Sequence, residues 1–237
     1  MKEKKTHKVL KWLLGVIIIL ILIVGGYGIY LGIDEAHQET KLEKEIAGLL
    51  SKNIETDEIS TSLISHGEYK KVEQTLKNYL KEYSNSIKNM KDLSEDEEIY
   101  SVLSFENFEK DGKDFITTKE LLKNVKQDIN PIFDKVIELS SEEYVLSLIT
   151  TQNLEKEYVE FYKNNVLTKD FKDQLEYRKE DAIKAKEELT NLINQEEKII
   201  NLLIMNKDKW TLNNNKVIFD NDEILNEYLE LTDQIGK

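Results

Sequence analysis

Cysteine is absent from this 237-residue chain, proline and arginine each occur once, and only nine residues are glycine. Each scarcity removes something. Without cysteine there is no disulfide framework, no thiol nucleophile and no lipid-modified cysteine anchor, so the fold rests on its core alone. A single proline, Pro131, and four glycines beyond Gly32 leave little material for tight turns. That argues for long helices and against a β-rich domain. Positive charge is also in deficit, with 46 acidic side chains against 33 basic ones and a net of −13. An acidic surface repels nucleic acid and anionic polymers or lipid headgroups, and leaves cationic partners, peptides or ions allowed; much of its effect is plain solubility.

What the chain does have is a run of 22 uncharged residues, Trp12 to Ile33. As a helix it is roughly 33 Å long, enough for a bilayer core of about 30 Å. Five lysines (Lys2, Lys4, Lys5, Lys8 and Lys11) precede it against the single Glu3, whereas Asp34, Glu35 and Glu39 follow before the first lysine, Lys41. This asymmetry predicts a cytoplasmic amino terminus with the remainder translocated, and Trp12, Tyr27 and Tyr30 fall where interfacial aromatics belong. A cleaved secretory signal is the rival reading, but the apolar core is long for one and Gly25-Gly26-Tyr27-Gly28 is a poor cleavage site. Gly25, Gly28 and Gly32 share a face, and Gly28 to Gly32 is a GxxxG through which two copies could pair as a homodimer.

The expected organisation is therefore a basic tail (1–11), a transmembrane helix (12–33), a juxtamembrane helical stalk (34–60) and an acidic extracytoplasmic helical domain (61–237). Removing Glu3 and the five tail lysines from the totals leaves residues 34–237 with 45 acidic and 28 basic side chains, a net of −17. The fold class expected is mainly α, an elongated helical bundle with a small β-hairpin near the carboxyl end. The lysine bias, 32 to 1 over arginine, with abundant Asn and Ile, is the coding habit of an AT-rich bacterium.

Helical periodicity carries the detail. Leu42, Ile46 and Leu49 give the stalk its stripe, and the pattern fades over 54–65. A second stripe runs Tyr69, Val72, Leu76, Tyr79, Tyr83, Ile87, Met90. Ser94 with Glu97, Thr117 with Glu120 and Ser140 with Glu143 read as capping boxes opening further helices, the last continuing through Val145, Leu148, Leu154, Tyr158 and Phe161. Asn130-Pro131 predicts a kink or a restart. After Thr168 comes a heptad seam: Phe171, Leu175, Arg178, Ala182, Ala185, Leu189, Leu192, Glu196, Ile199, Leu203. Charge interrupts it twice. Packing against helices of the same chain is the expected use of that seam, rather than an intermolecular coiled coil. Trp210-Thr-Leu and Val217-Ile-Phe, joined by an Asn-rich turn, predict the hairpin. Asp220 and Glu223 open a last helix.

Chemistry-bearing motifs are few. Residues 109–120, with Glu109, Asp111, Lys113, Asp114, Ile116 and Glu120, resemble an EF-hand calcium loop in the entering helix of Phe105 and Phe108, the apolar eighth position and the carboxylate twelfth. Lys113 stands where a calcium oxygen ligand belongs, Asp114 replaces the glycine of the sixth position, and Glu109 replaces the usual first Asp. The same residues read as a charged helix–turn–helix connection capped at Thr117. No metal or cofactor is therefore expected. His7, His37 and His66 are isolated from one another and from any nucleophile. No constellation meets the requirements of catalysis. Arg178, alone on its seam, is expected either to snorkel or to form a buried ion pair with a carboxylate of another helix, Glu73 and Glu155 being two among many. Tyr69, Tyr79 and Tyr83 could line a pocket between helices, though core packing is their ordinary use.

Function follows as an expectation: a membrane-anchored, non-catalytic binding or scaffold module at the bacterial cell envelope, acting on another envelope protein through helical surfaces. The alternative is a receptor-like bundle that binds a small molecule, cationic peptide or ion outside and works through a membrane partner. A receptor calls for an apolar pocket with convergent polar groups, and a scaffold for a large exposed apolar strip.

Overall fold

The computed structural model describes residues 34–214 and 216–235. The basic tail, the uncharged run and the Gly25, Gly28, Gly32 face lie outside the described residues. Among those described, no helix is long and apolar enough to cross a membrane.

The domain is mainly helical, and its core is one continuous cluster of apolar side chains. Helix α1 covers 34–50, and Leu42, Ile46 and Leu49 are buried as its stripe requires. It does not project as a stalk. It lies along α2 (Gly67–Ser94) in the same direction, Asp34 meeting His66 at 2.9 Å near one end and Glu45 meeting Lys77 at 2.6 Å further along. The reason is the stripe itself, which has to be covered, and α2 offers a matching one. All seven residues from Tyr69 to Met90 in the α2 stripe are buried. Because α1 and α2 run the same way, segment 51–66 must return along the length of α1, and it does so without helix or strand.

Two short helices follow, α3 (Glu97–Tyr100) and α4 (Phe105–Asp111). The expected capping box at Ser94 is replaced by two separate caps: Asp96 accepts from the Glu98 N–H and Ser104 from the Asn107 N–H, while Ser94 closes α2 by donating back to the Met90 carbonyl. Gly112 at φ 69° makes the left-handed turn out of α4 that a side chain would disfavour. Helix α5 (Ile116–Leu139) continues through Pro131 without a restart. Gln127 and Pro131 both face solvent, so water can satisfy the carbonyl that proline leaves without a donor.

The helix expected from Ser140 to Phe161 is two, α6 (Glu142–Thr150) and α7 (Lys156–Val166), broken where Asn153 takes φ 53°. Its cap is Ser141, one residue later than expected, accepting from the Tyr144 N–H at 3.1 Å. Helix α8 (Lys169–Met205) spans 37 residues, or about 55 Å. Thr168 caps it as expected. Helix α5 sits between α2 and α8. Pairs Lys126–Glu197 and Asp134–Lys186, both 2.7 Å, show α5 and α8 antiparallel. The heptad seam is thus spent inside the chain.

Strands β1 (Trp210–Asn213) and β2 (Lys216–Phe219) pair antiparallel, Trp210 opposite Phe219 and Leu212 opposite Val217. Helix α9 (Asp222–Thr232) packs back on β2 and α8, and Asn221 rather than Asp220 caps it, accepting from Glu223 and Ile224. Trp210 pins the hairpin to the α4–α5 turn. Its indole N–H donates to the Leu203 carbonyl at 2.8 Å, its ring meets Phe108 and Phe115, and Lys113 lies 4.9 Å above it.

Candidate functional site

Between the end of α1, the middle of α2 and the start of α8 lies a groove of about 450 Å³. Leu49, Leu50, Ile54, Leu80, Phe171 and Leu175 supply its apolar wall, and Tyr83, Asn53, Gln174, Lys52, Asp173 and Arg178 its polar atoms. The volume lies within the range of about 300–1,000 Å³ typical of small-molecule sites. Tyr83 is held in place by its hydroxyl, 2.8 Å from Ser140 Oγ, and by stacking on Tyr79 at 5.6 Å. Burial raises the Tyr83 pKa, against the Ser140 hydrogen bond and the nearby Arg178 charge, so it stays a neutral phenol. Of the other stripe tyrosines, Tyr79 donates to the Leu139 carbonyl within the core and Tyr69 packs edge-on to Tyr158 and Phe161.

Arg178 stands at this groove, and its guanidinium pairs with Glu55 of the 51–66 segment, not with Glu73 or Glu155. The two side chains are 28% and 29% exposed, so the pair is neither buried nor snorkelling free. A pair this wet is worth only about 0.2–1 kcal/mol. No pattern in the sequence joins Glu55 to Arg178. The returning segment alone brings them together.

A second polar cluster lies beside it, dry at Lys77 and Glu73 and open to water at Glu45, which is 29% exposed. Lys77 and Glu73 are 1% and 0% exposed. The Lys77 ammonium meets Glu73 at 2.7 Å, Glu45 at 2.6 Å and the Ser62 carbonyl at 2.5 Å. Glu73 also accepts from the N–H groups of Ile64 and Ser65, and from the Ser65 hydroxyl. Desolvation pushes the Glu73 pKa up, but Lys77 and the Ser65 and Ile64 donors outweigh it and hold the carboxyl below its usual value. Burial likewise works against the Lys77 charge, and Glu45 and Glu73 more than restore it. This clamp stitches the irregular segment to α1 and α2. Its one legible trace was the i, i+4 spacing of Glu73 and Lys77.

The EF-hand-like loop is occupied with structural tasks. Asp111 caps α5 by accepting from the N–H groups of Thr117 (3.0 Å) and Thr118 (2.7 Å), the role expected of Thr117 itself. Partial burial raises the Asp111 pKa, and those two N–H groups override it and lower it. Lys113 donates to the carbonyls of Lys207 and Trp210. Among the described residues no group of three or more His, Cys, Asp or Glu is arranged to hold a metal ion. His37 is exposed and His66 pairs with Asp34.

Glu196 is the opposite of Glu73. It is 2% exposed on the α8 seam, its Oε2 has no hydrogen-bond partner among the described residues, and burial lifts its pKa to about 8. It is therefore mostly protonated at neutral pH. No protein-family model matches the chain, and no curated protein or solved structure matches it either.

Proposed function

We propose that the chain is a membrane-anchored, non-catalytic binding module whose helical domain faces outward at a bacterial cell envelope and engages another envelope protein. The observation that carries this reading is how the first described residues are held. In sequence the uncharged run ends at Ile33, and from Asp34 onward α1 is tied to the domain by Asp34 to His66 and by Glu35 to the Tyr158 hydroxyl (2.7 Å). A domain held against its own core from these residues onward would present its helical surfaces as one body next to an anchor supplied by that run. The lysine-rich flank supports the orientation.

A receptor-like reading, in which the domain binds a small molecule, is favoured by the groove at Arg178, whose lining is apolar on six residues and polar on others. One pair of experiments tests the anchored module. Protease added to wall-stripped cells is expected to digest the domain and leave a short membrane-embedded fragment. Cross-linking in intact cells is expected to capture a discrete envelope protein. A domain untouched by protease, or a trimmed chain free in the medium, overturns the orientation and the anchor.

A further inference from the structure

We infer that the Arg178 groove binds an amphiphile with an acyl tail and a single carboxylate head, and that Glu55 occupies the head-group position in its absence. This deepens the receptor-like reading by naming the ligand class and does not depend on a protein partner.

The case begins with charge. Across residues 34–237 the domain carries a net of −17, yet the charged residues lining this groove are two cations, Lys52 and Arg178, and one anion, Asp173. The chain's sole arginine is placed there. A guanidinium favours a carboxylate by its fixed fork of donors, and a carboxylate is what it holds, that of Glu55. Glu55 comes from an irregular, largely exposed turn, and both members of the pair keep over a quarter of their side-chain surface in water. An incoming carboxylate can therefore replace it without a buried charge being stranded. The clamp at Glu73 and Lys77, which is dry, holds the segment in place while Glu55 exchanges.

The rest of the lining includes an aliphatic and aromatic wall: Leu49, Leu50, Ile54, Leu80, Phe171 and Leu175. Such a wall takes a hydrocarbon tail. Asp173 on the same lining opposes a dianionic phosphate head and leaves a monoanion favoured. The volume of about 450 Å³ suits one small molecule rather than a protein face.

The test is photolabelling of the full chain in bilayer nanodiscs with a diazirine-bearing decanoic acid, mapping the adducts by mass spectrometry. Label is expected on Leu50, Ile54 and Leu175. It should fall about tenfold in Arg178→Gln and rise about threefold in Glu55→Gln, which supplies no competing charge. Leu50→Trp, which fills the wall and leaves the ion pair in place, should lose the label with an unchanged circular dichroism spectrum. Equal labelling of Arg178→Gln and the native chain overturns the inference, as does unchanged labelling of Glu55→Gln. Labelling of the same residues by the matching decanol or decyltrimethylammonium probe, and not by the acid, would sink the carboxylate head and spare the receptor-like reading. No groove adduct with any of the three probes sinks both.

Discussion

Two regions of this domain each bury a glutamate on an apolar helical stripe, and they treat it in opposite ways. Glu73, where α1, α2 and the returning segment meet, is 0% exposed, and Glu196, on the α8 seam, is 2% exposed. Burial is the same, yet the first has its pKa lowered and the second has it raised to about 8. The difference is the company. Glu73 receives an ammonium, a hydroxyl and two backbone N–H groups, whereas Glu196 has an oxygen with nothing among the described residues to accept from. Desolvation acts on both, and only a filled hydrogen-bonding shell reverses its sign. The first region is an irregular segment that needs a polar clamp to order it. The second is a long helix pair that would form around an apolar residue just as well.

That contrast breaks most visibly at Lys77. Lys77→Met strands the Glu73 carboxylate in the core, and the expected cost is about 3–5 kcal/mol. For a domain of this size that is a fall in Tm of roughly 10 °C, read by calorimetry. Hydrogen exchange should rise first in 51–66, the segment the clamp orders. A variant that melts within a degree of the native chain would show that the cluster contributes nothing.

Glu196→Gln tests the other side and moves stability the other way. A carboxyl whose folded pKa is raised to about 8 binds more protons in the folded chain than in the unfolded one, where it titrates near the ordinary 4.5. Its burial is therefore harmless below that lower value, and stability drains away as pH rises toward about 8. The glutamine variant should be more stable by about 1–3 kcal/mol at pH 9, and its advantage should vanish by pH 4. Denaturant melts across that range read it directly, and a pH-independent difference would count against an ionisable origin.

The smallest effect belongs to the half-exposed pair. Arg178→Gln should lower stability by only about 0.2–1 kcal/mol, and by less still in 1 M salt. A drop of several kcal/mol would mean that Arg178 acts like Lys77, as a core cation, and would contradict its role at the groove.

Much of the fold could be read in advance from spacing. The seven-residue stripe of α2 is buried throughout, the α8 seam is spent on packing within the chain, and the hairpin lies where Trp210 and Val217 placed it. Caps were less legible, because several polar residues crowd each helix start and only geometry selects one: Ser141 over Ser140, Asn221 over Asp220, Asp111 over Thr117. The break at Asn153 left one trace, the six-residue step from Leu148 to Leu154, a separation that a helical stripe does not keep. The candidate site was barely legible. Arg178 drew notice as a lone arginine, but Glu55 carries no signal of its own.

Local periodicity, then, was enough to determine which residues would be helical and which face of each helix would turn inward, because burying apolar stripes leaves few choices. The tertiary arrangement decided what periodicity does not encode. Running α1 and α2 in the same direction forces the 51–66 segment back along them, and that path delivers Glu55 to Arg178 and the Ile64, Ser65 and Ser62 backbone to Glu73 and Lys77. Charge pairs between residues so far apart in the chain form only once the core has placed their backbones, and so no reading of neighbours could have paired them.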